Sequence, residues 1–209
     1  YIINNIYNIY MEGNDSISIH LIEPFFKDFS NFPLKVQKLS NDLKKEFKKY
    51  YKEINKIYTS NPQYVSEIIY EKCNSSLLSS SFIPDAINKE IKNLKKIFVF
   101  KTNIKNANHN FQIEVKIIVK DNEKIEDYIF IFKKIYTWLN FIYKYSNSKQ
   151  KKFLLYLYLS DYKKIIPNNK INILNSTNCN TAVTYACANE GECIIYRKEE
   201  WFKVLVHET

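Results

Sequence analysis

Three histidines and four cysteines carry most of the chemistry open to this chain, and one pairing comes first: His207 followed directly by Glu208, after the uncharged run Val204-Leu205-Val206. On a helix, the pattern His-Glu-x-x-His sets two imidazoles one turn apart, so that both reach one zinc ion. The carboxylate between them then faces a zinc-bound water as general base. Only the first half of that pattern is present, because Thr209 is the last residue of the sequence. The expectation is a helix that continues in a longer parent polypeptide, with His207 as the first metal ligand, Glu208 as the catalytic base, and the other ligands beyond Thr209. Zinc is the cofactor only if the motif continues. Taken as residues alone, the pair also reads as a solvent-facing histidine beside an ordinary surface acid.

The other candidates are weaker. His20 and His109 have no partner at ligand spacing and read as exposed polar residues. Gly13 and Gly191 are the only two glycines, so no glycine-rich phosphate loop can form, and there is no Gly-x-Ser-x-Gly elbow. Of the cysteines, Cys179, Cys187 and Cys193 fall within fifteen residues, with seven and then five residues between them, a spacing unlike the common zinc ribbons. Together with Cys73 they read first as buried free thiols, then as a disulfide within the cluster, and last as a metal site. A thiol nucleophile, Cys187 or Cys193 acting with His207, ranks below the zinc reading.

Composition limits the function classes. With 209 residues and 45% hydrophobic content the chain can bury a core, which excludes a wholly disordered protein. The net charge of +9 suits an anionic partner, yet isoleucine, asparagine, lysine, tyrosine and phenylalanine are together abundant, as A/T-rich codons would write them. Acids interleave with the lysines in "NDLKKEFKKYYKEINK", so a solvated helix face is expected there and nucleic acid ranks low as a partner. The apolar run from Tyr128 to Tyr143 is broken by Lys133 and Lys134, so no membrane span is expected. No secretory signal is visible, and a reducing intracellular environment is the default.

The elements that must position the pair follow from periodicity. Residues 1–32 read as irregular, with a strand at Ser16 to Ile22. Val36, Leu39, Leu43, Phe47, Tyr50, Ile54 and Ile57 recur at steps of three and four and predict a long helix. Asn61-Pro62 reads as a helix start, giving a second helix over Pro62 to Lys72, and "NSSLLSSS" (Asn74 to Ser81) reads as a linker. A third helix opens at Pro84-Asp85. Beyond Lys96 the period becomes two: Ile97 to Ile104 and Phe111 to Val119 predict a hairpin. A helix follows over about 122–145. Next come a central strand over Phe153 to Ser160, an edge strand or ordered loop over Thr181 to Cys187, a short strand over Cys193 to Tyr196, and a final helix with Glu199 and Glu200 in its first turn. The domain expectation is a mainly helical region over 1–80 and an α+β module over 81–209.

From about Ile97 to Thr209 this succession resembles the upper half of a zincin catalytic domain, in which the motif helix packs beneath a twisted mixed sheet and an edge strand pairs with substrate backbone. The tail, "NTAVTYAC" followed by "CIIYRKEEWFKVLVHET", resembles a group of uncharacterised proteins of large nucleocytoplasmic DNA viruses. In these a similar "IYRKEEWFKV" run leads into a complete His-Glu-x-x-His helix. The resemblance implies a zincin-like fold, a zinc metallopeptidase-like activity, His207 on the metal and Glu208 as base. It places the protein in a virion or host cytoplasm, with protein or peptide partners. The alternative is a non-catalytic virion component, a minor capsid or assembly protein whose tyrosine-rich and lysine-rich surface contacts other virion proteins.

Overall fold

A computed structural model describes residues 41–106, 109–146, 150–164, 176–185 and 190–209. The expected strand at Ser16 to Ile22, together with His20 and Cys187, lies outside the described residues, as does the side chain of His109. The chain divides into two compact units, Tyr1–Asn61 and Pro62–Thr209. In the first unit, helix α1 (Asn41–Thr59) holds Tyr50, Ile54 and Ile57 half-buried and Phe47 exposed, while Val36, Leu39 and the side chain of Leu43, the rest of the expected stripe, lie outside the described residues. It ends where the Thr59 and Ser60 hydroxyls donate back to the carbonyls of Asn55 and Ile57, closing off acceptors that the last turn leaves open.

The second unit is α+β: a six-stranded mixed sheet with helices on both faces. Strands β1 (Val65–Tyr70), β2 (Lys96–Asn106) and β3 (His109–Val119) pair antiparallel. Strand β3 then runs parallel to β4 (Lys152–Leu157), and β4 parallel to β6 (Glu190–Ile195), while β5 (Ala182–Tyr185) closes the far edge antiparallel to β6. The order across the sheet is β1-β2-β3-β4-β6-β5. Helices α2 (Asp85–Asn93), α3 (Ile129–Tyr145) and α4 (Trp201–Glu208) bring the described helices to four.

Alternation in the strands assigns the two faces. Phe100, Val115, Leu155 and Cys193 lie side by side in register and are fully buried. They face α3, whose Phe132 stacks on Phe100 at 4.9 Å between ring centroids. Ile131, Phe132, Ile135, Leu139 and Tyr143 follow the helical step and form the buried stripe of α3. On the opposite face, Val99, Tyr156 and Ile194 join a second core with Ile87 and Ile91 of α2. Each such side chain contributes roughly 1.5–3 kcal/mol through burial, so the two cores dominate the stability of this unit.

Two expectations for residues 62–81 are corrected. Val65–Tyr70 is a strand, because "VSEIIY" is rich in β-branched and aromatic residues and pairs with β2 along its whole length. Asn61-Pro62 therefore precedes extended chain and caps no helix. "NSSLLSSS" is no spacer either: Ser75 Oγ accepts from the Leu77 N–H at 3.1 Å, capping a 3₁₀ turn over Ser76–Ser79. That turn drives Leu77 and Leu78 into the second core. The helix expected from about 122 starts later, after a 3₁₀ turn over Ile125–Tyr128. Buried Lys96 fixes this corner by donating to the carbonyls of Asp121 at 2.6 Å and Glu123 at 2.7 Å.

Candidate functional site

Helix α4 leaves β6 through a five-residue corner, Tyr196 to Glu200, and its end meets α3 where Thr209 accepts the Trp138 indole N–H. Glu200 adopts the left-handed conformation, φ 64° and ψ 7°, unusual for a residue with a Cβ, and its carbonyl accepts the Val204 N–H at 2.9 Å. Glu199 and Glu200 thus precede the helix instead of occupying its first turn. The Glu200 carboxylate pairs with Lys164 at 3.1 Å and with Lys203 at 3.7 Å. Phe202 and Leu205, three apart, are buried and seat the helix on the sheet.

That seating decides where the candidate pair points. His207 is exposed in the last turn. Glu208 is half-buried and lines a cleft of about 210 Å³. Phe111 and Phe153 of the sheet and Leu139 and Tyr143 of α3 give the cleft apolar walls, and Thr184 and Tyr185 of β5 form its rim. Phe111 and Tyr143 stack with centroids 4.5 Å apart, which keeps this part of the wall rigid. The helix end is pinned twice: Thr209 Oγ1 donates to the Leu205 carbonyl at 2.7 Å and accepts the Trp138 indole N–H at 2.9 Å.

Sequence reasoning did not find Gln150, Thr184, Tyr185 or the α3 residues of this cleft. Their only signals were the aromatic content of α3 and the weak alternation before Cys187. Gly191, beside Phe153 in register, has a clear reason to be glycine: a Cβ there would lie 2.0 Å from Gln150 Nε2. The glycine leaves room for Gln150 at the cleft.

Of the described thiols, Cys73 and Cys193 are buried as expected, whereas Cys179 is exposed, which corrects the expectation of a buried thiol there. Cys193 is fully buried beneath the cleft, with the Thr184 hydroxyl 3.3 Å from its sulfur. Burial pushes its thiol up to about 12, and the charge of Glu208 adds to that shift while Thr184 opposes it. A thiolate nucleophile at Cys193 is therefore disfavoured at neutral pH. Burial also raises the Cys73 thiol. Cys73, Cys179 and Cys193 are free, so a Cys179–Cys193 disulfide is absent among the described residues.

The metal expectation meets a clear geometric test. Among the described residues no group of three or more His, Cys, Asp or Glu side chains converges as a metal site requires. His207 and Glu208 are neighbours on one helix, and the residues present do not complete a zinc site. No described helix is long and apolar enough to cross a membrane. Comparison of the chain with protein-family models, with curated proteins and with solved structures finds no match.

Proposed function

We propose that this chain is the N-terminal portion of a zincin-like, zinc-dependent metallopeptidase, akin to the His-Glu-x-x-His proteins of large nucleocytoplasmic DNA viruses. In this reading His207 is the first metal ligand and Glu208 the general base, and a second imidazole four residues after His207 is required. The carrying observation is the placement of Glu208. It lies on the helix that directly follows the parallel strand β6, at a cleft rimmed by the antiparallel edge strand β5. Strand β5 pairs with β6 alone among the described strands, which leaves its outer backbone groups available to an extended peptide. No catalytic step follows from the described residues, since the remaining metal donors are not among them.

The test has three arms. The parent reading frame must encode His four positions after His207, the full polypeptide must hold about one zinc per chain, and Glu208→Gln must abolish peptide hydrolysis while zinc is retained. A stop codon directly after Thr209, or hydrolysis that survives Glu208→Gln, overturns the proposal.

A second reading, a non-catalytic virion or assembly component, is favoured by the other sheet edge. Strand β1 exposes Val65 (66%), Ile68 (43%) and Tyr70 (75%) along an edge that no other described strand pairs, the kind of edge that proteins usually protect. This reading requires co-purification with assembled particles at fixed stoichiometry, undiminished by metal removal. Exclusion from particles removes it.

A further inference from the structure

Arg197 is the only arginine in the chain; the other thirty of its 31 strongly basic residues are lysines. It is also among the most deeply buried side chains, with 1% of its surface exposed. A buried guanidinium cannot shed its proton, so it must be compensated where it stands. Among the described residues no carboxylate forms an ion pair with it, and backbone carbonyls take that place. Nε donates to Asn180 O at 2.9 Å, Nη1 to Tyr162 O at 3.2 Å, and Nη2 to Thr177 O at 3.1 Å, with Ser176 O at 3.5 Å. The rings of Tyr162 and Tyr196 lie 5.3 Å and 5.8 Å from the guanidinium carbon and add cation–π attraction.

Those carbonyls belong to two separate stretches. Tyr162 lies on the exit from β4, while Ser176, Thr177 and Asn180 lead into β5. Arg197 itself lies in the corner that launches α4. Flanking backbone bonds run the same way: Tyr196 N–H donates to Thr181 O at 3.1 Å and Lys198 N–H to Ser160 O at 2.9 Å. A lysine could not substitute here, because its ammonium is a single point of charge and cannot present a planar fork to carbonyls on both sides. A composition that uses lysine everywhere else keeps arginine at the one position where that fork is needed.

We infer that Arg197 is a positioning residue: it fixes the edge strand β5 and the helix α4 relative to each other, and so sets the cleft between Glu208 and Tyr185. The inference rests on that cleft being the functional site, and it is independent of the metal chemistry proposed for it.

The experiment is amide hydrogen exchange of the full chain, wild type against Arg197→Lys, with the Trp138 indole N–H resonance followed by NMR. The wild-type β5 amides that bond to β6 are expected to be protected to within about tenfold of those in β6, although a four-residue edge strand would otherwise fray. In Arg197→Lys, these inward-facing amides should exchange at least about tenfold faster while those of the β2–β3 hairpin hold. The indole resonance should move as α4 shifts against α3, because that N–H bonds Thr209 at the end of α4. Equal acceleration across the whole sheet, or an unmoved indole resonance, overturns the inference and leaves Arg197 an ordinary core residue. If the variant does not fold, the wild-type measurement decides alone: β5 amides exchanging as fast as loop amides refute it. None of these readouts uses catalysis, so failure of the peptidase proposal and failure of this one are separately visible.

Discussion

Raising the pH should destabilise the sheet unit progressively, because four buried neutral groups must keep their protons for the fold to hold. Cys193 is fully buried and its thiol is pushed from 9.0 up to about 12, chiefly by burial. The phenols of Tyr156, Tyr158 and Tyr196 are all buried and all pushed well above 10.0, again with burial as the first cause. For Tyr158 the second cause is its hydrogen bond to Glu90 at 2.7 Å. Each of these groups is neutral while it holds its proton, and each holds it to higher pH in the folded chain than in the unfolded one. Their stabilisation is therefore complete below the unfolded values and is lost as pH climbs through the window up to the folded ones.

The size follows from about 1.4 kcal/mol per pH unit per group. At pH 11 the unfolded Cys193 thiol has passed its own value by two units, worth about 3 kcal/mol at most, and the three tyrosines by one unit each, worth about 4 kcal/mol together. A loss of about 7 kcal/mol is comparable to the whole stability of a typical domain, 5–15 kcal/mol. Urea unfolding followed by circular dichroism at pH 8, 9, 10 and 11 should show a steadily falling midpoint, with the tyrosinate absorbance of Tyr156, Tyr158 and Tyr196, taken as the difference from their phenylalanine variants, rising only as structure is lost. Between pH 9 and 10 the unfolded Cys193 thiol titrates ahead of the phenols and contributes about 1 kcal/mol, so Cys193→Ala should flatten that interval by about this amount. A midpoint unchanged to pH 11, or tyrosinate forming at Tyr156, Tyr158 or Tyr196 while the circular dichroism is native, as read from the difference against the corresponding phenylalanine variant, would refute the burial argument.

Thiol alkylation near pH 8 in native buffer should modify exposed Cys179 while Cys73 and Cys193 stay unmodified until urea is added, as mass spectrometry of the peptides would register. Leu205→Ala, which empties a fully buried seat of α4, should cost about 2–5 kcal/mol in urea unfolding. Gly191→Ala should cost about 1–3 kcal/mol, because the added methyl meets both the end of Gln150 and the ring of buried Phe153, and it should displace Gln150 from the cleft, visible as a shift of its side-chain amide resonances. Ser75→Ala removes both the 3₁₀ cap at Leu77 and a hydroxyl bond to Glu192, so a loss of about 1–3 kcal/mol is expected.

Periodicity located the hairpin, α2, α3 and the central strand because in each the buried face is set by the spacing of large apolar residues. Ile97 to Ile104 and Phe111 to Val119 alternate cleanly, and their register places the alternating residues on the two cores. The failure at 62–72 has a different origin. Strand β1 is an exposed edge with the burial of one side chain, Ile69, only partial, so its sequence carries no inward stripe and Asn61-Pro62 imitated a helix cap. Likewise the serines of "NSSLLSSS" looked like spacer because polarity was counted, whereas Ser75 and Ser76 spend their hydroxyls on Glu192 and on a local cap. Polar residues that serve nearby backbone are invisible to hydropathy.

For the site, spacing could nominate His207 and Glu208 because both are adjacent in sequence, and the helix beneath them forms as its apolar residues require. What spacing could not convey is that the two point differently, the imidazole to solvent and the carboxylate into a cleft whose other rim comes from twenty residues upstream. The cleft exists because three stretches distant in sequence, around 160, 180 and 197, converge on one buried cation. A lone arginine amid thirty lysines was a legible mark of that convergence. Charge counting merges the two residue types, and it is the planar geometry of one, absent from the other, that lets a chain this rich in flexible lysine hold an edge strand in place.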